Sequence, residues 1–590
     1  MDRQQEPDGA LGSRAVGGAA ERCVSDAAVG VEPGPSVRTP WAPSRQGGGL
    51  AGRLALVGAL CLLGVALVWT AWLGDDAFIT FRAMDNFVHG RGLGWNVGER
   101  VQAFTNPLWL FLLALPYALT GELYWVAIAA GFLCTGVVVA LIVRRASSAG
   151  MAAFGVLLLA GSKAFVDYGT SGLENPLLHI FVLLAVGAFL APMDPARRAV
   201  RVAWATSFAF LTRPDALVLT SVLCVAAWLG SPTLGTLRRM CFAWLPAFAW
   251  ETFSLVYFGT FVPNTAIAKL AGELPRNELV QQGLFYLRNS LHWDPLTLTT
   301  VAVAVLALAL RPSRWRRREC VVALAVVLHL VYLLRVGGDF MSGRFLTSPF
   351  VVAVALIVRW RPERRQLVAG SLVVVALSVW SERSTWRPRP GPLAFLEALE
   401  STGITNERAF YYAFTGLVSE GHPTWGRLAD GALYPPAEYA RMKLAEGERV
   451  QVHGQIGMYG CLLGPEVHVV DPMGLADPLL ARLPLTTHAG DSLFGRKRDA
   501  HGRFWKVGHL HRDLPPGYLA SLESDSNQIE HPALARYYGA LRALTRAPIW
   551  SRERWRVLFA FHTGRYDADL DAWRRDRTAE LERGKVPRSD

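Results

Sequence analysis

Two adjacent carboxylates, Asp75 and Asp76, follow directly on the first long apolar segment of the chain. They open the sequence DDAFITFRAMDNFVHGRGLGWNVGERVQAFTNPLW, in which arginines, asparagines and a glycine-rich turn come after the acidic pair. Charged residues at the end of a membrane span often belong to a functional site, especially when polar residues of several types lie near them in the sequence. Neighbouring side chains on a helix or extended segment point apart, so the two carboxylates are expected to have different roles. The pair therefore predicts a membrane-embedded enzyme.

Five further polar motifs stand at the ends of apolar segments and could share one site with the acidic pair. A charged side chain at mid-bilayer depth costs ~2.5 to 3.5 kcal/mol on the insertion scale, so charges near spans tend to pair or to serve function. The alternative for each single motif is that it marks a membrane interface, where charge costs little. The five motifs are Thr105-Asn106, Ser171 to Asn175, Thr212 to Asp215, Val262 to Lys269 and Gly337 to Arg344.

Several residues in these motifs also have structural interpretations. Asp215 follows Arg213 across a proline and could simply pair with it. Glu174 and Asn175 could bind hydroxyl groups of a substrate, or Asn175 could cap the helix that begins at Pro176. The sequence leaves both alternatives open.

The last motif combines a turn with a charged residue at the start of an apolar segment. Gly337 and Gly338 are expected to form a tight turn that presents Asp339. Arg344 opens the next apolar segment, where a long basic side chain can extend to lipid headgroups instead of a site.

The composition places these motifs in a membrane protein. Hydrophobic residues make up 52% of the 590 residues, and charged residues only 18%. The formal net charge is +12, but the arginines collect in short clusters between apolar segments, as in cytoplasmic loops, so topology explains the charge better than nucleic-acid binding. The seven cysteines show no spacing of a zinc site or redox pair.

Segment lengths and basic clusters predict an α-helical polytopic bundle of about eleven spans with a cytoplasmic N-terminus. Residues 1–52 are expected to be a disordered cytoplasmic tail, and residues 53–381 the membrane domain, with a first external loop at 74–122. Pro107 to Leu119 is short and contains a proline, which favours an interfacial or re-entrant helix. The predicted spans are 54–73, 123–143, 151–166, 176–191, 199–212, 215–229, 240–260, 295–310, 320–335, 344–358 and 367–381.

Residues 382–590 are expected to form a soluble extracytoplasmic domain of mixed α/β class. Short valine-rich runs at 450–452 and 467–470 alternate there with helical stretches at 436–446 and 532–547. The histidines at 501, 509 and 511 with Asp513 lack the ligand spacing of a metal site, so no metal is predicted. We expect this domain to help bind an acceptor over the membrane site.

At the level of motifs, the chain resembles the GT-C type of integral membrane glycosyltransferases. Within that class it is most similar to the terminal arabinofuranosyltransferases of mycobacterial cell-wall assembly. The resemblance is strong in the membrane half and extends through DPMGLADPLLARLP and GHLHRDLPP. The motifs of the membrane half are DDAFITFR, GLGWNVGERVQAFTNPLW, SGLEN, LTRPDA, VPNTAIAK and GGDFMSGRF, in this order.

The resemblance implies transfer of a sugar, arabinofuranose in those relatives, from a polyprenyl-phosphate donor to a cell-envelope glycan or glycolipid on the outer face of a bacterial-type inner membrane. It implies that Asp75 or Asp76 is the general base, a role that contributes ~10² to 10⁴-fold to a rate. Phosphate-binding candidates are Arg82, Arg213, Lys269 and Arg344, because cations that hydrogen-bond phosphate stabilise developing charge. Sugar- or acceptor-binding candidates are Asn106, Glu174, Asn175, Asp215, Asn264, Asp339 and His509.

The residues leave the donor sugar, the stereochemistry and any need for a divalent cation open, and they show no requirement for another cofactor. A mannosyl or aminoarabinose transferase acting on a protein or lipid acceptor is the main alternative. A transporter is disfavoured, because inverted halves are not recognisable and polar motifs lie on one side. The chain also has no GxxxxGK[ST] loop that would support ATP-driven pumping.

Overall fold

The computed structural model describes residues 49–270, 274–310, 317–380, 385–386, 402–419, 435–485 and 507–582. Residues from Gln46 onward belong to one compact unit. The predicted tail therefore lies outside the described residues, apart from its last four. Within the described ranges the chain is almost entirely helical, because its long apolar runs satisfy their backbone hydrogen bonds within each segment.

The first nine helices carry most of the motifs. Three of them begin at a serine or aspartate, Ser148, Ser162 and Asp194, whose side-chain oxygen accepts a hydrogen bond from a backbone N–H of the first turn. These helices are α1 (Leu50–Thr70), α2 (Asp75–Val88), α3 (Pro107–Thr120), α4 (Leu123–Val143), α5 (Ala149–Gly161), α6 (Lys163–Tyr168), α7 (Asn175–Leu190), α8 (Pro195–Thr212) and α9 (Leu217–Leu229).

Eight more helices complete the part of the chain predicted to be membrane domain. They are α10 (Leu234–Ala243), α11 (Leu245–Tyr257), α12 (Asn264–Leu270), α13 (Arg276–Trp293), α14 (Pro295–Leu310), α15 (Arg317–Val336), α16 (Thr347–Ile357) and α17 (Arg364–Trp380). Single turns of 3₁₀ helix, Pro214–Ala216 and Arg344–Leu346, precede α9 and α16.

Most predicted spans coincide with one described helix, but 151–166 is divided between α5 and α6 at Ser162, and 240–260 is divided between α10 and α11 at Trp244. Among the described helices, α1, α4 and α15 are long and apolar enough to cross a membrane, and α13 with α14, bent by 109°, would make a fourth span. Five shorter apolar helices accompany them. The chain is a multi-pass membrane protein; the number of about eleven spans stays a prediction, as does the interfacial placement of α3.

The C-terminal part adds seven described helices: α18 (Glu407–Thr415), α19 (Pro435–Ala445), α20 (Ile456–Leu463), α21 (Tyr518–Glu523), α22 (Pro532–Arg546), α23 (Arg552–His562) and α24 (Asp567–Glu582). The described strands are β1 (Val450–Val452) and β2 (His468–Val470), which pair in parallel with Val450 opposite His468. Strands of three residues form a small part of this region, so the expected α/β class is not confirmed.

The first loop and the C-terminal part share a hydrophobic core. Trp72, Phe78 and Trp95 are fully buried in it, together with Met458 and Val467 from the far end of the chain. Burying such a large side chain contributes ~1.5 to 3 kcal/mol relative to leaving it in water. This shared core holds α2, which begins at Asp75, against α20.

Candidate active site

A buried carboxylate, Glu174, lies at the centre of the polar motifs. Its Oε1 accepts hydrogen bonds from Arg213 Nη1 at 2.9 Å and from Arg344 Nη2 at 3.2 Å. Its Oε2 accepts from Asn106 Nδ2 at 2.8 Å, and Asn106 Oδ1 accepts in turn from Thr80 Oγ1 at 3.1 Å. A buried charge needs such partners, because its desolvation would otherwise cost several kcal/mol. Four separate motifs therefore meet at one side chain.

The backbone before Glu174 is fixed by the start of α2 and by α3. Gly74 N–H donates to the Ser171 carbonyl at 2.9 Å, and Trp109 Nε1 donates to the Gly172 carbonyl at 2.9 Å. These bonds tie the Ser171–Glu174 turn to the residue that precedes the acidic pair. Glu174, at the end of this turn, shares its partner Arg344 with Asp76.

The two adjacent aspartates have different surroundings, as their alternating directions predict. Asp75 is buried and accepts from the N–H groups of Met458 at 2.8 Å and Gly457 at 3.2 Å. These are free donors of the first turn of α20, so Asp75 caps that helix. Asp76 keeps 23% of its side chain exposed, and its Oδ2 lies 3.4 Å from Arg344 Nη1. Asp76 is thus the carboxylate that is open to a ligand.

The cap of Asp75 depends on a glycine at the start of α20. A Cβ at Gly457 would lie 1.9 Å from the Asp75 carbonyl oxygen, so no other residue fits without moving the backbone. Burial raises the pKa of Asp75 to about 7, against the lowering effect of its hydrogen bonds from Met458 and Gly457. A neutral or charged carboxyl can accept those two bonds, which suits a structural role across this pH range.

Arg344 connects Asp76 to the rest of the cluster. Its side chain is 10% exposed, and besides Glu174 and Asp76 it has Asp339 Oδ2 at 4.0 Å. The interpretation that Arg344 extends to lipid headgroups is therefore wrong, because carboxylates on three motifs attract its guanidinium inward. Gly337 and Gly338 have φ values of +82° and +74°, which confirms the tight turn that presents Asp339. Burial raises the pKa of Asp339, while Arg344 lowers it.

Arg213 is fully engaged by two carboxylates. Its Nε and Nη2 donate to the two Asp215 oxygens at 2.9 and 2.6 Å, which confirms the pairing across the proline, and its Nη1 donates to Glu174. Its guanidinium also lies over the Phe345 ring at 5.0 Å. Arg213 can therefore orient Glu174, but it has few donors left for a substrate.

The polar cluster borders a small recess. Its polar lining includes Asn175, Arg213, Asp215, His329 and Arg344. Asn175 Nδ2 donates to Thr347 Oγ1 at 3.2 Å. The alternative that Asn175 caps its helix is wrong, because Asn175 is the first helical residue and its side chain makes no cap bond.

Lys269 approaches the cluster from α12. Its electrostatic neighbours are Asp339 and Asp76, and no side chain in the described ranges forms an ion pair with it. The residue is exposed, yet surrounding protein desolvates the ammonium group and lowers the pKa of Lys269. Its aliphatic stem lies beside Gly508, where a Cβ would be 3.0 Å from Cε. Among the described residues of the cluster, Lys269 is therefore a cation that can bind an anion.

His509 lies at the edge of the same region. It is buried, and its ring meets the Phe340 ring edge to face at a centroid distance of 4.3 Å. Asp513 forms an ion pair with Arg577 at 3.0 Å. Residue 501 lies outside the described residues. No group of three or more His, Cys, Asp or Glu within the described ranges could hold a metal ion.

Two predicted site residues are used for architecture instead. Arg82 is buried and donates to the carbonyls of Trp95, Gly460 and Val467 at 3.0, 2.6 and 2.6 Å. Its guanidinium lies 4.7 Å from the Trp95 ring centroid, and burial lowers the pKa of Arg82 to about 10. A side chain with these donors occupied has little capacity for a phosphate.

Asn264 holds the C-terminal segment in the same way. Its Nδ2 donates to the carbonyls of Gly474, Leu475 and Asp477 at 2.8, 3.1 and 3.0 Å, and its Oδ1 accepts from Arg482. The amide is therefore satisfied by the backbone around the DPMGLADPLLARLP motif. Its contribution to the site is to place α12, which carries Lys269.

Two buried aspartates in that motif were not singled out from the sequence. Asp471 accepts from Met473 N–H and Ala476 N–H, and Asp477 accepts from Leu480 N–H. Burial raises the pKa of Asp471 to about 6 and that of Asp477 to about 7. Each aspartate precedes a proline, which is a turn signal that could have identified these loops.

Comparison with known proteins decides the class of this site. No protein-family profile matches the chain. The terminal β-(1→2)-arabinofuranosyltransferase of Mycobacterium tuberculosis is 27% identical, with 71% of this chain and 80% of the relative covered. The protein of the same name from Corynebacterium glutamicum is 28% identical, with 80% of both chains covered. The chain is a homologue of these arabinofuranosyltransferases. It is a glycosyltransferase, and the resemblance of its motifs is confirmed.

Two solved structures align with the chain at lower similarity. ArnT from Cupriavidus metallidurans bound to undecaprenyl phosphate is 14% identical, has a TM-score of 0.40, and covers 73% of this chain and 76% of ArnT. The oligosaccharyltransferase from Archaeoglobus fulgidus is 14% identical, has a TM-score of 0.37, and covers 73% and 65% of the two chains. These TM-scores do not establish a shared fold.

Proposed function

We propose that this glycosyltransferase moves a sugar, arabinofuranose by analogy with its relatives, from a polyprenyl-phosphate donor to a cell-envelope glycan or glycolipid acceptor. The reaction takes place on the outer face of the membrane. The N-terminus is cytoplasmic, and residues 382–590 are extracytoplasmic and help to hold the acceptor. The observation that carries the proposal is the partly exposed carboxylate Asp76 beside two cations, Lys269 and Arg344, while Arg213 and Asn106 hold the buried Glu174 in place.

The roles in this site follow from which groups are free. The donor phosphate carries negative charge that grows as its bond to the sugar breaks, so it needs donors that are not already saturated. Lys269 has no ion-pair partner in the described ranges, and Arg344 makes only long contacts with Asp76 and Asp339. We assign phosphate binding to this pair, with Arg344 moving from the carboxylates to the phosphate. Arg213 and Glu174 position Arg344.

Asp76 is the proposed general base. The acceptor hydroxyl gives its proton to Asp76 as its oxygen bonds to the anomeric carbon, and the bond from that carbon to the phosphate oxygen breaks. Polyprenyl phosphate leaves with the electron pair. In a mechanism that retains configuration, the same carboxylate would attack the anomeric carbon first, so the stereochemistry of the product separates the two roles. Asn106, Asn175, Asp215, Asp339 and His509 are left as the groups around the sugar and acceptor.

Another lipid-linked sugar, a mannosyl or aminoarabinosyl donor with a protein or lipid acceptor, would use the same arrangement. Nothing in the cluster selects between a furanose and a pyranose ring. A transporter would need a site near the middle of the membrane, whereas the polar groups here stand at helix ends. The identity of the donor sugar therefore rests on analogy alone, whereas a lipid phosphate is common to all the donors considered.

The test is donor consumption by the purified protein in detergent. A synthetic polyprenyl-phosphate arabinofuranose and an arabinan oligosaccharide are supplied together, and the released polyprenyl phosphate and the extended glycan are quantified by mass spectrometry. Equal amounts of both products are expected. If transfer occurs only with a mannosyl donor, the assignment of arabinofuranose is refuted, but the proposed class of reaction is retained. An intact donor in every combination would refute the proposed reaction.

A further inference from the structure

Helix α23 and the short segments on either side of it carry an exposed surface that combines aromatic and basic side chains. Trp550 is 78% exposed and Phe559 72% exposed, which is unusual for the largest apolar side chains. Trp550 and Trp555 stack with ring centroids 6.2 Å apart. We define the Trp–Arg surface as Trp550, Arg552, Trp555, Arg556, Phe559 and Arg565, which line one shallow recess.

The opposite side of α23 fixes this surface in place. Arg554 is completely buried and donates to the carbonyls of Leu544 and Tyr257, both at 3.0 Å. His562 Nε2 lies 3.1 Å from the Gly259 carbonyl oxygen. Tyr257 ends α11, and Gly259 follows it. The Trp–Arg surface is therefore held rigidly at the C-terminal end of α11.

An exposed apolar strip joins the Trp–Arg surface to α11. Helix α11 exposes Leu245 and Phe248, and the loop after it exposes Phe261 and Val262. The Phe261 ring lies 6.0 Å from the His562 ring of α23. In a multi-pass membrane protein, large apolar side chains that are exposed on a helix face lipid. The strip thus leads from a lipid-facing helix directly to the tryptophans.

We propose that the Trp–Arg surface lies in the headgroup layer at the end of α11 and binds anionic phospholipid headgroups. Tryptophan prefers this layer because its ring is apolar and its N–H is polar. Arginines among aromatic side chains on a helix surface add attraction to lipid phosphates. The proposal rests on the membrane location of the chain and is independent of the catalytic assignment.

The chemistry of the surface favours lipid over glycan. A glycan needs carboxylate or amide groups to bond its hydroxyls, besides rings to stack on. The lining of the recess in the described structure contains no Asp, Glu, Asn or Gln, but it contains three arginines. Three positive charges have no partner in a neutral sugar chain, whereas each can bind a phosphate.

Photocrosslinking of the full-length protein in nanodiscs tests the proposal. Benzoylphenylalanine replaces Phe559 in one variant, and Glu523, in a polar exposed stretch on α21, in a matched control. The discs contain phosphatidylglycerol and phosphatidylcholine in equal amounts, and mass spectrometry identifies the adducts. We expect lipid adducts at position 559 and none at 523. We also expect Arg552→Gln and Arg556→Gln each to lower the phosphatidylglycerol preference about fivefold.

Three results would overturn the proposal. They are the absence of lipid adducts at position 559, an equal yield at both positions, or adducts on a second copy of the protein. Unchanged melting temperatures of the variants are the control for folding, which is expected because the replaced side chains are exposed. Transfer activity is measured in the same discs. An inactive protein that still forms lipid adducts would refute the proposed reaction and leave the lipid surface standing.

Discussion

Two buried arginines, Arg82 and Arg344, show how differently the same side chain is used in this protein. Arg82 donates to three main-chain carbonyls at 2.6 to 3.0 Å, and within the described ranges it forms no ion pair with a carboxylate. The charged partners of Arg344 in the described structure are three carboxylates, at 3.2 Å from Glu174, 3.4 Å from Asp76 and 4.0 Å from Asp339, and its Nη1 also lies 3.4 Å from Met341 Sδ. Short bonds to carbonyls fix a loop, whereas long contacts to several charges can be exchanged for a bound anion.

The regions around these two arginines differ in the same way, in whether polar side chains bond to the backbone or to other side chains. The region of Arg82, with Asp75 and Asn264, bonds side chains to the backbone of the C-terminal part and holds the protein together. The region of Arg344 pairs side chains with side chains and leaves Asp76 partly exposed. Function is expected to reside where polar partners are other side chains. Stability is expected where the partners are main-chain groups.

The largest effect is expected from Arg344→Gln on catalysis. Loss of the cation that stabilises the leaving phosphate should lower kcat by ~10² to 10³-fold, as removal of one such donor does in other enzymes. Glu174 keeps its bonds from Arg213 and Asn106 in this variant, so the protein should still fold, and the melting temperature is measured as the control. Steady-state transfer kinetics measure the first quantity. Arg542→Gln, which breaks a surface pair with Asp525, is the control and should retain its activity.

The next effect is expected from Arg82→Lys on folding. One ammonium group cannot reach the carbonyls of Gly460, Val467 and Trp95 together, so buried acceptors lose their donors at ~1 to 3 kcal/mol each. We expect a loss of ~2 to 4 kcal/mol in the free energy of unfolding, measured by denaturant titration in detergent. Arg91→Lys, in a half-buried pair with Asp85, should cost less than ~1 kcal/mol. Equal losses in both variants would contradict the comparison.

A smaller effect is expected from Lys269→Met on donor binding. The ammonium can bind an anion, and a hydrogen bond to a charged group contributes ~1.5 to 3 kcal/mol. The KM for the lipid donor should therefore rise ~10-fold or more, with a smaller change in kcat. Kinetics at varied donor concentration measure this split. Lys443→Met, which removes a surface ion pair with Glu448, is the matched control, and a similar KM for both variants would refute the role.

The smallest effect is a pH dependence of stability that Asp75 contributes. Its pKa is about 7 in the folded protein and 3.8 as a free side chain, so the folded state binds an extra proton between these values. Stabilisation from this group is complete below pH 3.8 and is lost as the pH rises through about 7. Melting temperatures from pH ~5 to ~8 should fall more steeply in the wild type than in Asp75→Asn. Parallel curves would contradict this assignment.

Local patterns in the sequence predict much of this molecule. The apolar stretches correspond to helices, and the polar motifs at their ends converge on Glu174 because they lie at the same end of neighbouring helices. The pairing of Arg213 with Asp215 and the turn at Gly337-Gly338 involve residues close in sequence. Such features depend only on the spacing and the types of residues, so they can be predicted from the sequence.

Contacts between distant parts of the chain are not readable in this way. Asp75 and Gly457 are separated by 382 residues, and Arg82 and Gly460 by 378. A carboxylate or an arginine has the same local signature whether it caps a distant helix or binds a substrate. The choice between Asp75 and Asp76 therefore needed the structure, as did the architectural roles of Arg82 and Asn264.

The central claim is that Asp76 is catalytic and Asp75 is structural, and it is tested most directly by transfer rates of Asp75→Asn and Asp76→Asn. Both changes are isosteric, and both variants are first compared with the wild type for melting temperature. The account predicts that Asp76→Asn folds normally and loses ~10² to 10⁴-fold in rate, while Asp75→Asn keeps most of its activity. Loss of activity in a well-folded Asp75→Asn, with normal transfer by Asp76→Asn, would contradict it.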